Sequence, residues 1–182
     1  IGAVGEAIDR LRAAGAEELV MAGGVKRPSM GSLKPDAKGA QLIARLGFRL
    51  LGGDDALLKG LVAFLEEEGF RLIGAEEVLG GLLAPEGVLG REKPSRQDEE
   101  DIARGLAAAR AIGALDIGQA AIVERGYVLG LEAAEGSAAL INRCSALKRE
   151  KNAGVLVKCR KPGQEARADL PSIGPETVVQ IA

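Results

Sequence analysis

Residues 17–28, EELVMAGGVKRP, decide how the first half of the chain folds. Within them, residues 19–22 form an apolar run of strand length that leads directly into a glycine pair ending at Gly24. A glycine pair at the end of a strand is typical of a turn where the backbone approaches a ligand. Lys26 and Arg27 follow, so the turn predicts either a clamp for a diphosphate group or an exposed basic loop.

Helices flank this short buried strand in the predicted fold. Residues 4–11 place apolar side chains three and four positions apart, which predicts an amphipathic helix, and residues 40–46 predict another. A third helix begins at Gly53, and residues 70–73 predict a second strand. Strands that alternate with helices indicate an α/β fold, here a Rossmann-like parallel sheet with flanking helices. The expected buried stripe of the third helix is Leu58, Leu61, Val62 and Leu65.

A segment rich in proline and glycine, residues 85–94, predicts a linker between two domains. The N-terminal α/β domain would comprise residues 1–84, and a C-terminal mixed α/β domain residues 95–182. The second domain opens with Ser-x-x-Asp at Ser95, a capping-box sequence that predicts a helix start. Its other predicted elements are a hairpin of residues 120–124 and 127–132, a helix from Ser137, a strand at residues 154–158 and a final helix from Pro175.

The amino-acid composition narrows the chemistry. The 182 residues include 24 Lys and Arg, 26 Asp and Glu, and no histidine. The sequence therefore excludes Ser-His-Asp and Cys-His catalysis, and it lacks the histidine ligands that most zinc sites use. Hydrolysis by these residues would depend on carboxylates, lysines, hydroxyls, backbone amides and an oxygen-ligated metal such as Mg²⁺.

The charge pattern and the hydropathy of the sequence predict which partners the protein has and where it is located. With a net charge of −2 and no basic helix, we expect no nucleic-acid partner. The longest uncharged run, residues 78–85, is much shorter than the roughly 20 residues that a membrane-spanning helix needs. The two cysteines are too few for a disulfide framework. These features predict a cytoplasmic protein.

Two short polar segments are candidate binding sites. Gly53, Asp54 and Asp55 begin a helix, where free N–H groups suit a phosphate or a ribose hydroxyl, although Asp54 can equally act as a simple cap. Gln119 lies among small apolar residues, so it is either an edge-strand residue or a buried amide that needs partners. Glu132 and Glu135, just before Ser137, belong either to a solvated loop or to a metal and sugar site.

The richest candidate is residues 158–174. Residues 143–167 hold eight basic and two acidic residues, an excess that attracts phosphate or an anionic bilayer surface. Asp169 follows this basic stretch, shortly before a predicted helix. A carboxylate among cations is expected to be ionised, which suits a Mg²⁺ ligand. The alternative is a loop aspartate held in a salt bridge.

Six segments occur together and in this order: Gly-Gly-Val-Lys-Arg-Pro (23–28), Gly-Asp-Asp-Ala-Leu-Leu (53–58), Asp-Ile-Gly-Gln (116–119), Glu-Gly-Ser (135–137), Gly-Val-Leu-Val-Lys (154–158) and Lys-Pro-x-Gln-x-x-Arg-x-Asp-Leu-Pro-Ser-Ile-Gly (161–174). This combination resembles the two-domain UDP-2,3-diacylglucosamine pyrophosphatases of lipid A synthesis in Gram-negative bacteria, which are unrelated to the calcineurin-like enzymes. Ser137 and Ser172 stand where threonine is common in that family, and they keep the hydroxyl.

The resemblance implies Mg²⁺-dependent hydrolysis of UDP-2,3-diacylglucosamine to UMP and 2,3-diacylglucosamine 1-phosphate. The substrate would bind in an interdomain cleft, at the cytoplasmic face of the inner membrane. Asp169 would be the catalytic carboxylate and the metal ligand. The implied substrate-binding residues are Gly24, Lys26, Arg27, Gly53, Asp54, Asp55, Gln119, Ser137, Lys158, Gln164 and Arg167.

Family members also carry a further strand and glycine-rich loop before, and a helix-and-strand segment after, the part that this sequence resembles. Two other functions stay open: a metal-dependent hydrolase of another nucleotide diphosphate, and a non-catalytic module that binds a nucleotide sugar or phospholipid. The oligomeric state also stays open, with a homodimer as one possibility.

Overall fold

A computed structural model of the chain describes residues 2–23, 34–47, 53–81, 83–150 and 153–181. By their internal contacts, these residues form two units. The first unit comprises Ile1–Ala84 together with Glu165–Asp169, and the second comprises Pro85–Gln164 together with Leu170–Ala182. Five residues from late in the sequence therefore belong to the first unit. None of the helices in the described ranges is long and apolar enough to cross a membrane.

The first unit has helices around a parallel pair of strands. Its elements are α1 (Val4–Ala13), β1 (Glu18–Val20), α2 (Ala37–Leu46), α3 (Asp54–Glu67), β2 (Arg71–Ile73) and α4 (Ala75–Val78). Strands β1 and β2 run parallel, with Leu19 opposite Leu72. The parallel pairing predicted from strand and helix alternation is confirmed.

The core of the first unit is aliphatic with two phenylalanines. Ile8 of α1, Leu42 of α2 and Phe64 of α3 are buried against one another and against Leu72 of β2. The predicted stripe of α3 is partly wrong, because Leu57 rather than Leu58 packs on this core. The side chains that α3 contributes are Leu57, Leu61, Val62, Phe64 and Leu65.

Two predicted boundaries in the first unit also need correction. Strand β1 covers Glu18–Val20 instead of residues 19–22, and it is not buried, since Val20 is 39% exposed. Helix α2 begins three residues before the predicted start. The reason is Asp36, whose carboxylate accepts the Gly39 N–H at 2.7 Å and caps the helix. The same carboxylate accepts the Gly5 N–H at 2.7 Å, so it joins the beginnings of α1 and α2.

The second unit has an antiparallel sheet of three strands in the order β4-β3-β5. Its elements are α5 (Arg96–Ala114), β3 (Ala120–Glu124), β4 (Tyr127–Leu131), α6 (Gly136–Ser145), β5 (Val155–Lys158) and α7 (Pro175–Ile181). The Ser95 capping box and the hairpin are confirmed, as is the final helix from Pro175. Arg125 and Gly126 both have positive φ, which is the conformation that a tight two-residue hairpin turn requires.

Strand β3 is buried at all five positions because helices cover both faces of the sheet. Gly105 of α5 lies on one face, where an added Cβ would stand 2.5 Å from Val157. On the other face Gly130 lies against Cys144 of α6, again with no room for a side chain. Glycines at these contacts let the two helices pack closely on the sheet.

Candidate functional site

The predicted site residues that the structure describes fall into two groups, one in each unit. Gln119, Ser137, Lys158 and Gln164 belong to the second unit, whereas Gly53, Asp54, Asp55, Arg167 and Asp169 belong to the first. Gly24, Lys26 and Arg27 lie outside the described residues. Their proposed role in binding a diphosphate stays a prediction.

Two glutamines face each other in the second unit. The Gln164 side chain is 7% exposed, and its Nε2 lies 3.5 Å from Oε1 of Gln119. Gln164 Oε1 accepts the Lys161 N–H at 2.9 Å, and the Gln119 carbonyl accepts the Cys159 N–H at 3.0 Å. The turn after β5 is thereby joined to the residue that precedes β3. Gln119 is only partly buried, and its side-chain oxygen has Gln164 as an internal partner.

Glu132 is a buried carboxylate that organises the same region. Its side chain is 7% exposed; Oε2 accepts the Gln119 N–H at 2.9 Å and Oε1 accepts the Ser137 hydroxyl at 2.6 Å. Gly118 packs so closely on the Glu132 backbone that a Cβ would collide with its carbonyl oxygen. Of the two possibilities that the sequence left for Glu132, a solvated loop is therefore wrong. Ser137 and Gln119 meet through this one side chain.

Two lysines border this group. Lys158 Nζ donates to the Ser172 carbonyl at 3.1 Å, and Lys161 Nζ pairs with Asp116 at 2.6 Å. The Lys161 side chain is only 11% exposed, so its charge is largely desolvated and needs that carboxylate. An ammonium has three donors, so each lysine can hold a phosphate oxygen in addition to its protein partner.

In the first unit, Asp55 binds the chain that carries Asp169. Its Oδ1 accepts the Glu165 N–H at 2.9 Å, and its Oδ2 pairs with Lys59 at 2.6 Å. Gly53 is the residue before the first turn of α3, and Asp54 is exposed in that turn. Asp54 and Asp55 both lie where the positive end of the helix dipole favours an anion.

Arg167 lies between two glutamates. Nε and Nη2 donate to the two oxygens of Glu165, both at 2.9 Å, and Nη1 donates to Glu66 at 2.5 Å. These ion pairs raise the pKa of the Arg167 guanidinium. The hydrogen bond from Arg167 likewise lowers the pKa of Glu165, against an opposing effect of burial. The pair of Arg167 and Glu165 is therefore fully ionised at neutral pH.

Asp169 closes a tight turn on the first unit. Its N–H donates to the Glu165 carbonyl at 3.0 Å, as does the N–H of Ala168 at 3.2 Å, and its side chain is half-buried. In the part of the chain that the structure describes, no three Asp, Glu or Cys side chains converge as a metal site. Mg²⁺ is commonly held by one or two carboxylates together with substrate phosphates and water. A single half-buried aspartate fits that kind of site.

Comparison with known families decides what kind of protein this is. The model of the LpxI N-terminal domain matches residues 1–82, and the model of the LpxI C-terminal domain matches residues 85–182. The chain belongs to the LpxI family. A relative from Caulobacter vibrioides, UDP-2,3-diacylglucosamine pyrophosphatase LpxI, is 42% identical over 188 aligned residues, which cover 100% of this chain and 67% of the relative. The resemblance drawn from the six segments is confirmed.

Sequence reasoning missed several residues that support the candidate site residues within each unit of this LpxI chain. Lys161 and Glu165 lie inside the long motif, where nothing in their spacing distinguishes them from the other polar residues. Lys59 follows Asp55 by one helical turn, a spacing that favours pairing and was detectable. Glu66 has no local signal, because its partner Arg167 lies 101 positions away in the chain.

Proposed function

We propose that this LpxI-family chain hydrolyses the pyrophosphate bond of UDP-2,3-diacylglucosamine, releasing UMP and 2,3-diacylglucosamine 1-phosphate. The observation that carries the proposal is the 42% identity over the whole chain to a protein named for that pyrophosphatase activity. The absence of histidine from the sequence is consistent with it, because carboxylates and lysines suffice for metal-assisted hydrolysis of a phosphate anhydride.

Asp169 is the proposed catalytic carboxylate. It would hold Mg²⁺ or orient the attacking water, and its side chain is half-buried. When bound, Mg²⁺ supplies neutralisation of the diphosphate charge and a lowered pKa for coordinated water. The residues of the chain would then fix the direction of attack by holding Asp169 in one orientation.

Phosphate contacts are proposed for Lys158 and Gln164 of the second unit. Ammonium and amide donors that are already oriented stabilise the charge that grows on phosphate oxygens in the transition state. Lys158 is held by the Ser172 carbonyl and Gln164 by the Lys161 N–H, so both are oriented before a ligand arrives. Gln119 and Ser137, joined through Glu132, would contact the nucleotide or sugar.

Peripheral association with the inner leaflet is a further part of the proposal. It rests on the basic excess of residues 143–167. Arg143, Lys161 and Arg167 pair with carboxylates in the structure. These ion pairs reduce the net positive charge with which the stretch can attract an anionic bilayer. We expect sedimentation with phosphatidylglycerol vesicles at low salt and release at high salt. Equal recovery with phosphatidylcholine vesicles would contradict an electrostatic attraction.

The test of the reaction is the release of UMP from UDP-2,3-diacylglucosamine in the presence of Mg²⁺. Asp169→Ala is expected to lower kcat by at least about 100-fold, while substrate binding and thermal unfolding change little. The matched control is Asp9→Ala, on the exposed face of α1, which is expected to keep full activity. Tight binding of substrate by the unmodified protein without turnover would instead favour a binding module.

A further inference from the structure

The five residues Glu165–Asp169 are docked on the first unit by contacts at their start, middle and end. We propose that Glu66 and Arg167 are positioning residues, which set the location of the Asp169 carboxylate by clamping this segment on α3, and that neither contacts the substrate. The inference rests on the proposed function, in which Asp169 is the catalytic carboxylate. It changes the role that the sequence suggested for Arg167, which was to bind phosphate.

The clamp uses both ends of α3. Asp55, in the first turn of the helix, accepts the Glu165 N–H, and Glu66, in its last turn, pairs with Arg167. Their backbone positions are 11 residues apart, which corresponds to about 16 Å along a helix axis. Ala168, next to Arg167 in the chain, packs on the apolar core of the unit. Contacts this far apart restrict both the position and the direction of the segment.

The guanidinium of Arg167 has its nitrogens committed within the protein. Nε and Nη2 form a two-point contact with Glu165, while Nη1 donates to Glu66 and lies 3.5 Å from the Leu72 carbonyl. The three charged side chains together carry one net negative charge. A phosphate at this guanidinium would have to approach two carboxylates that are already bound to it, which like-charge repulsion opposes. The surroundings of Arg167 therefore favour a structural ion pair over a contact with phosphate.

The clamp reaches Asp169 through the backbone. Asp169 follows Arg167 by two residues, and its N–H is bonded to the carbonyl of Glu165. Glu165 is in turn held through its N–H by Asp55 and through its side chain by Arg167. Loss of Glu66 leaves Arg167 paired with Glu165 but detached from α3, so the turn that carries Asp169 can shift. Displacements of about 1 Å at a reacting group can lower a rate by about 100-fold.

The test compares Glu66→Gln with Glu67→Gln. Glu67 is the next residue of α3 and pairs with Arg45 at the surface, so the control removes a similar charge from the same helix. We expect Glu66→Gln to lower kcat for UDP-2,3-diacylglucosamine by about 10-fold with KM unchanged, and Glu67→Gln to change neither. Hydrogen exchange at the Asp169 amide should quicken in the first variant alone.

A second variant separates positioning from substrate contact. Arg167→Lys keeps the positive charge but cannot bridge two carboxylates with a planar fork. We expect the same fall in kcat with KM unchanged, and no further fall when it is combined with Glu66→Gln, because both substitutions break one clamp. A raised KM with unaltered kcat in Arg167→Lys would overturn the inference, as would normal kcat in Glu66→Gln. Absence of turnover in the unmodified protein would instead contradict the proposed function and remove the inference with it.

Discussion

At the scale of single residues, Glu132 illustrates how a buried charge is satisfied. Its two oxygens accept the Gln119 N–H and the Ser137 hydroxyl, and its own backbone lies against Gly118. A buried carboxylate without such donors would be costly, whereas here each donor depends on the carboxylate in return. The arrangement couples two residues for which we propose substrate contacts.

We expect Glu132→Gln to destabilise the second unit by about 1–2 kcal/mol, because neutral hydrogen bonds to Gln119 and Ser137 replace stronger charge-assisted ones. The chain has one tyrosine and no tryptophan, and Tyr127 lies in β4, so its fluorescence during urea denaturation reports on this unit. Glu135→Gln, at an exposed position nearby, is the control and should change the midpoint little. Equal midpoints for both variants would contradict the role given to Glu132.

Gly118→Ala tests the close approach of backbone beside Glu132. The added Cβ would meet the Glu132 carbonyl oxygen, and backbone cannot yield as a flexible side chain can. We expect a loss of about 1–3 kcal/mol, as for overpacking elsewhere. Gly90→Ala is the control in the same unit, since the nearest atom to its Cβ position is the Glu92 N at 4.0 Å. A wild-type urea midpoint in Gly118→Ala would show that the contact is not tight.

At the scale of elements, the hairpin of β3 and β4 is joined to α5 by one carboxylate. Asp101 is 2% exposed and accepts the N–H groups of Arg125 and Gly126 at 2.7 and 2.6 Å. These are the two turn residues with positive φ. The hairpin turn is therefore held by a helix as well as by its own strand pairing.

Asp101→Ala should cost about 1–3 kcal/mol, because it leaves the partly buried N–H groups of Arg125 and Gly126 without this acceptor. Asp101→Asn retains one acceptor oxygen and should cost less. Amide exchange at Arg125 and Gly126 is the direct measurement, and it should quicken more in the alanine variant. Similar exchange in both variants and in the unmodified protein would contradict the role of Asp101.

The elements that the sequence predicted best are those with local signals. The capping box at Ser95, the hairpin and the helix start at Pro175 each depend on a few adjacent residues. The start of α2 was missed although Asp36 is a local cap, because the prolines, glycine and serines around it favour a loop. The extent of β1 depends on its pairing with β2, some 50 residues later, and no local pattern specifies that.

The residues of the candidate site divide in the same way, into those with a local sequence signal and those whose contacts are distant in sequence. Asp169, Gln164 and Lys158 lie within recognisable segments, so the sequence alone was enough to propose them as site residues. Their supporting partners were not, because the contact of Asp55 with Glu165 joins residues 110 positions apart. Burial of Glu132 likewise results from tertiary packing, which a stretch of sequence with small residues on both sides does not reveal.

At the scale of the whole molecule, the free energy of unfolding should depend on pH. In the acidic range this dependence should come from the titration of carboxyl groups alone. Hydrogen bonds from the Gly39 N–H lower the pKa of Asp36, those from the Arg149 N–H lower the pKa of Glu124, and Arg167 lowers the pKa of Glu165. A carboxyl group with a lowered folded-state pKa stabilises the fold above its unfolded pKa. That contribution is lost as the pH falls through the folded value.

We therefore expect the urea midpoint to be nearly constant from about pH 6 to 8, where no histidine titrates, and to fall below about pH 4.5. Glu165→Gln should lower the midpoint at pH 7, and this effect should shrink as the pH falls below about 4.5, the ordinary glutamate pKa, because the lowered pKa of Glu165 stabilises the fold only while its carboxyl group is ionised. Maximum stability near pH 4 would contradict the assignment of these hydrogen bonds.

The measurement that tests the central claim most directly is product analysis in water enriched with heavy oxygen. UDP-2,3-diacylglucosamine would be incubated with the purified protein and Mg²⁺, and the products would be identified by mass spectrometry. We expect UMP and 2,3-diacylglucosamine 1-phosphate in equal amounts, with one heavy oxygen in one of the two phosphates. Substrate that stays intact, or products without the heavy oxygen, would contradict hydrolysis of the pyrophosphate by this chain.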